Sequence, residues 1–146
     1  MLALLYIGGK FLAYGLWCFV GLRKVRRDLS ASLPQALLYG LLRLIMGLFF
    51  GVVIWLASSW MLSAVGYGLP QNILAYLLVY IPVRWIEWSI MAAFIAPQPF
   101  SFLGWLIAGS PTDRYWRVGG IAISCLADIP MIVDLGGVIP TGRFLC

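Results

Sequence analysis

The sequence predicts an all-α membrane protein, a bundle of four transmembrane helices with a short interfacial or re-entrant segment between the third and fourth. Three observations carry this reading. The 146-residue chain is 63% hydrophobic and only 10% charged, whereas soluble domains run nearer half apolar and a quarter charged. A water-soluble core of this size has no room to hide so much apolar surface; lipid does. Four windows reach the roughly 20 mainly apolar residues that a bilayer core requires. The charges between windows are mostly basic and gather in alternate connections, as lysine and arginine do in cytoplasmic loops. The length suits one domain, residues 1–146.

The first window runs from about Leu2 to Leu22. It has no basic residue ahead of its apolar stretch, carries Lys10 inside it and lacks a small-residue cleavage end, so it reads as a retained helix and not as a secretory signal. The basic run Arg23, Lys24, Arg26 and Arg27 closes it. The second window follows Pro34, from about Gln35 to Met61, and is long enough to tilt or to project beyond the lipid. Gly66-Tyr67-Gly68-Leu69-Pro70 then breaks the pattern, as glycine and proline clusters do. The third window extends from about Gln71 to Ala96 and stops at Pro97-Gln98-Pro99. Phe100 to Gly109 is apolar but too short to cross, which makes it the interfacial or re-entrant piece. The polar stretch Ser110 to Arg117 reads as a loop, and the fourth window runs from about Val118 to Ile139 before Pro140.

Loop charges set the expected orientation. The first loop has four basic residues against Asp28, the third has Arg114 and Arg117 against Asp113, and the second has none. The positive-inside rule places loops one and three in the cytoplasm and both termini outside. The expected location is a bacterial inner membrane, in a multi-pass arrangement. The same rule accounts for the net charge of +5 without nucleic acid as a partner.

Six ionisable residues fall inside the windows: Lys10, Arg43, Arg84, Glu87, Asp128 and Asp134. Each costs roughly 2.5 to 3.5 kcal/mol at a helix centre on insertion scales, so they should face protein and pair. Counted from the cytoplasmic ends, Arg43 lies roughly 12 Å deep, Glu87 and Asp128 roughly 14 to 15 Å, and Lys10 and Arg84 roughly 18 Å. These five share one layer, with Lys10 at its edge, while Asp134 lies further out. Three cations balance three anions. Helical spacing puts Gly40, Arg43, Gly47 and Gly51 on one stripe, and Tyr76, Tyr80, Arg84, Glu87 and Met91 on another. Gly120, Ser124 and Asp128 align on the fourth helix, and Lys10 is the nearest partner by depth for Asp134. Arg84 and Glu87, one turn apart, can pair within their helix, and Pro82 loosens the backbone beside them. Trp85 and Trp88 are the tryptophans expected to line the layer; the others belong to interfacial belts.

The candidate binding residues are therefore Arg43, Arg84, Glu87, Asp128 and Lys10, with Asp134, Tyr80 and Trp88 secondary. No metal or cofactor is expected. The chain has no histidine, which removes imidazole ligands and bases, and Cys18, Cys125 and Cys146 form no paired motif. No catalytic motif is present. The leading expectation is a structural or accessory subunit of a membrane complex, with lipids, other membrane subunits or further copies of itself as partners. Two alternatives use the same layer: an oligomeric transporter or proton-coupled permease with Glu87 and Asp128 as protonatable groups, and a lipid-active membrane enzyme.

Overall fold

A computed structural model describes residues 2–95 and 110–134, all helical apart from short connections. The expected segment at 100–109 and the end of the fourth window lie outside the described residues, as does the side chain of Asp134. The elements are α1 (Leu2–Lys24), α2 (Leu33–Val65), α3 (Leu69–Ala75), a π-helical segment (Tyr76–Tyr80), α4 (Ile81–Ile95) and α5 (Pro111–Asp134). The middle three run on as one rod. Three rods are long and apolar enough to cross a membrane: Leu4–Lys24, Leu33–Val65 and Pro70–Ile95. The fourth helix, α5, carries Asp113, Arg114 and Arg117 in its first two turns and Asp128 further on.

Two helices start earlier than hydropathy suggests, for the same local reason. The Ser32 hydroxyl accepts from the Gln35 N–H at 3.4 Å, and Pro34 sits in the first turn, where a missing N–H costs nothing. Helix α2 therefore begins at Leu33 and runs to Val65, about 50 Å at the α-helical rise. It ends on Gly66, whose φ of +89° and N–H bond to the Leu62 carbonyl (2.9 Å) suit a residue without a side chain. At α5 the Ser110 hydroxyl accepts from the Asp113 N–H at 3.2 Å, with Pro111 next and an acidic residue in the first turn. The polar stretch read as a loop up to Arg117 is thus helix from Pro111 onward. Capping chemistry outweighs its low hydropathy.

Helix α1 packs against α2 and α5, α4 packs against α5 and α2, and α1 also touches α4. Among the described residues α2 and α5 do not meet, so the rods form a diamond with α1 and α4 on its short diagonal. Glycines set the closest approaches. A Cβ on Gly40 would lie 2.6 Å from the backbone nitrogen of Gly15, so α1 and α2 cross backbone to backbone. Three others seat indole rings: Gly21 receives Trp116, Gly119 receives Trp17 and Gly120 receives Trp88, all at 2.3–2.7 Å from where a Cβ would be.

Polarity is inverted relative to a soluble domain. Lys10, Arg43, Arg84, Glu87 and Asp128 are buried, while leucines on α1 and α2 such as Leu4 (76% exposed) and Leu38 (66%) face outward. At one end of the bundle the exposed cations Arg23, Lys24, Arg26, Arg27 and Arg114 gather.

Candidate functional site: a buried ionic interior

The carboxylate of Glu87 on α4 organises the first node. Its Oε2 accepts from Arg43 Nη2 on α2 at 2.6 Å and from Arg84 Nη1 on its own helix at 2.7 Å. All three side chains are fully buried. Arg43 reaches Glu87 because Gly40, Gly47 and Gly51 clear the same face of α2, each of them buried. Aromatic rings line the guanidinium groups. Arg43 lies 4.9 Å from the Tyr14 centroid and 5.0 Å from that of Trp88, and Arg84 lies 4.6 Å from Tyr80. Ring faces carry partial negative charge and stabilise a desolvated cation.

Asp128 on α5 organises the second node. Lys10 Nζ approaches its Oδ1 at 2.5 Å, the Tyr6 hydroxyl donates to the same oxygen at 2.8 Å, and the Tyr80 hydroxyl donates to Oδ2. Tyr80 joins the two nodes, donating to Asp128 at its tip while its ring faces Arg84. It is held by stacking on Tyr76 (4.3 Å, 15°), one turn earlier, and Tyr76 in turn donates to Cys125 Sγ at 3.2 Å. Both tyrosines lie on the π-helical segment. That segment precedes Pro82, which has no N–H for the Leu78 carbonyl. The wider turn absorbs the proline without a break in the rod.

The five residues of the sequence-predicted layer are thus brought together. Lys10 pairs with Asp128, while the expected pairing of Lys10 with Asp134, and the balance of three cations against three anions that includes it, fall on a side chain outside the described residues. Trp88 lines the layer as expected, its indole N–H donating to Ser124 Oγ at 3.2 Å, but Trp85 lies against Arg117 instead, at 5.7 Å.

A third node is absent from the sequence reading. Arg117 pairs with Asp113 at 2.5 Å and donates to Ser89 Oγ at 3.0 Å, with Arg117 and Asp113 both buried. Their spacing of four on a helix is available in the sequence, but reading the stretch as a loop conceals it. Tyr6, one turn before Lys10, is legible in the same way. The reciprocal bonds of Trp17 and Trp116, each indole N–H donating to the other residue's carbonyl at 3.0 Å, carry no sequence signal.

No family model matches the chain, and neither a curated protein nor a solved structure matches it. Function therefore rests on the geometry. A groove of about 370 Å³ opens between α1 and α5, lined by Tyr6, Gly9, Lys10, Ala13, Ala127 and Pro130 among others. Among the described residues no cluster of histidine, cysteine and acidic side chains is gathered to hold a metal. In the α1–α2 connection, Asp28 accepts from the Ser30 N–H (3.0 Å) and hydroxyl (2.6 Å). Those bonds, with Arg26 nearby, hold its carboxyl below the usual range.

Proposed function

We propose that the chain is an integral membrane protein that crosses the bilayer four times and serves as a structural or accessory subunit. Its ionic interior fixes how the helices pack and does not support turnover. The observation that carries the reading is that both central carboxylates are paired directly with cations from other helices. Arg43 of α2 is bonded to Glu87 of α4, and Lys10 and Tyr6 of α1 are bonded to Asp128 of α5, with Tyr80 bonded there too. In lipid there is little hydrophobic drive between helices, so packing and polar contacts must specify the partners. The outward leucines and the lengths of the rods support embedding.

The end bearing Arg23, Lys24, Arg26, Arg27 and Arg114 then faces the cytoplasm, with both termini outside, in a bacterial inner membrane. Arg117 drops out of that count because it is buried against Asp113. Lipids, other membrane subunits or further copies of the chain are the partners this reading implies.

One observation favours a second reading, a small transporter or permease. Lys10, which pairs with Asp128, lines a lateral groove, and Tyr80 sits on a π-turn, an irregularity frequent at functional sites. Proteoliposomes with a trapped pH-sensitive dye separate the two. The subunit reading predicts proton leak at the lipid background, with Glu87→Gln and Asp128→Asn lowering only thermal stability. Flux from the native chain, abolished in Glu87→Gln at unchanged amounts of folded protein, would overturn it.

A further inference from the structure

The end of the bundle where α1 turns into α2 and α5 begins carries charge that the rest of the chain does not answer. Arg23, Lys24, Arg26, Arg27 and Arg114 are all exposed there. Gly21 of α1 receives the Trp116 indole, which brings the first turn of α5, with Arg114, level with the end of α1. Among the described residues these five cations meet one carboxylate, Asp28, 3.7 Å from Arg26. Asp28 is itself taken up by the Ser30 N–H and hydroxyl. The other acidic residues of the sequence lie elsewhere. Glu87, Asp113 and Asp128 are paired inside the bundle, and Asp134 ends α5, about 30 Å from Arg114 along the helix.

The backbone adds a second observation. Arg27 has a φ of +58°, in the left-handed region, just beyond a helix end where glycine is usual. No other residue except glycine has a positive φ among the described residues. Glycine would turn the chain there without strain, so the local fold does not call for an arginine, and a count of charges for topology is indifferent to the backbone beneath them. A third observation is apolar. Leu29 is 88% exposed and Tyr115 77% exposed, beside Arg27 and Arg114 in the chain. Bare apolar side chains among cations suit the boundary between headgroups and acyl chains, and not an acidic surface in water. We propose that this end of the bundle binds the headgroups of anionic phospholipids through Arg23, Lys24, Arg27 and Arg114, the cations that have no ion pair among the described residues. The proposal rests on the membrane reading above and names the lipid class that the cytoplasmic end selects. Guanidinium groups match phosphate oxygens two N–H donors at a time, while Leu29 and Tyr115 enter the layer below the phosphates.

The native chain is reconstituted in phosphatidylcholine bilayers carrying a trace of spin-labelled phosphatidylglycerol or spin-labelled phosphatidylcholine. Electron paramagnetic resonance then reads the fraction of each label that the protein immobilises. A larger fraction is expected for phosphatidylglycerol, with the preference fading as salt is raised to about 1 M, where charges are screened within a few ångström. Arg27→Gly relieves the left-handed φ, so its Tm is expected to hold or rise. Its preference for the anionic lipid should nevertheless fall by up to about fivefold, the factor that one cation contributes near a charged membrane surface. Arg27→Lys should keep the preference. Equal immobilisation of both labels by the native chain would overturn the surface and leave its cations to an acidic segment of a partner protein. So would a preference that survives Arg23→Gln and Arg27→Gly together. A chain that enters bilayers yet treats both labels alike loses only the lipid surface, whereas one that does not enter them loses the membrane reading as well.

Discussion

Glu87 pairs with two buried arginines that have no other carboxylate among the described residues, and its removal is accordingly expected to be strongly destabilising. Glu87→Gln keeps the shape of the side chain but leaves two buried cations unpaired, which costs about 3–5 kcal/mol in comparable buried pairs. Chemical unfolding in micelles should show a loss of that order. Replacing the whole node, with Arg43, Arg84 and Glu87 all changed to methionine, removes the desolvation cost together with the attraction. Such replacements are often neutral or stabilising, so the triple variant should unfold later than Glu87→Gln. An equal or larger loss in the triple variant would mean that the node does more than hold itself together. At the loop, Asp28 offers a pH test. Its folded-state value is depressed below the ordinary 3.8, mainly by the Ser30 hydrogen bonds. A depressed carboxylate stabilises above the unfolded value and loses that contribution as pH falls through the folded one. An NMR titration should place the Asp28 midpoint below 3.8, and Ser30→Ala should move it back up.

Among the elements, the glycines divide into two groups with opposite predictions. Gly120 and Gly119 seat the rings of Trp88 and Trp17, and a methyl group there meets rigid indole carbons at 2.4 and 2.3 Å. Alanine at either position should cost about 1–3 kcal/mol, the usual range for overpacking. Nothing lies within 4 Å of a Cβ on Gly9. Gly9→Ala should be neutral or stabilise by about 0.5–1 kcal/mol, since alanine is the better helix former. Thermal unfolding of the three variants side by side checks both directions. The element scale also shows what is legible in the sequence. Helical spacing alone puts Arg43 among glycines and aligns Tyr80, Arg84 and Glu87, because a fixed period decides which residues share a face. It puts Gly120, Ser124 and Asp128 together for the same reason. Capping at Ser110 is equally visible as Ser-Pro-Thr-Asp, yet low hydropathy argues for a loop there, and that reading hides the Asp113–Arg117 pair. The indole sockets are beyond reach, since nothing local says which tryptophan will meet which glycine across two helices.

The whole molecule inverts the polarity of a soluble domain, with ion pairs inside and leucines outside. Composition alone indicates this, and depth counting brings five charges to one layer without knowledge of any contact. Pairing within the layer is less legible. Depth alone points Lys10 towards Asp134 and does not reveal its pairing with Asp128, because depth fixes a level and not the direction a side chain takes across the bundle. The most direct test of membrane embedding is cysteine labelling around α2 in sealed vesicles, on a background lacking the native thiols, at Arg26, Ile45 and Tyr67. Arg26 and Tyr67 lie in the connections at opposite ends of α2, and Ile45 is 55% exposed on its outer face. Embedding predicts that a membrane-impermeant maleimide modifies position 26 from the cytoplasmic side only, position 67 from the opposite side only, and position 45 from neither. Labelling of positions 26 and 67 from the same side, or ready aqueous labelling of position 45, would contradict it.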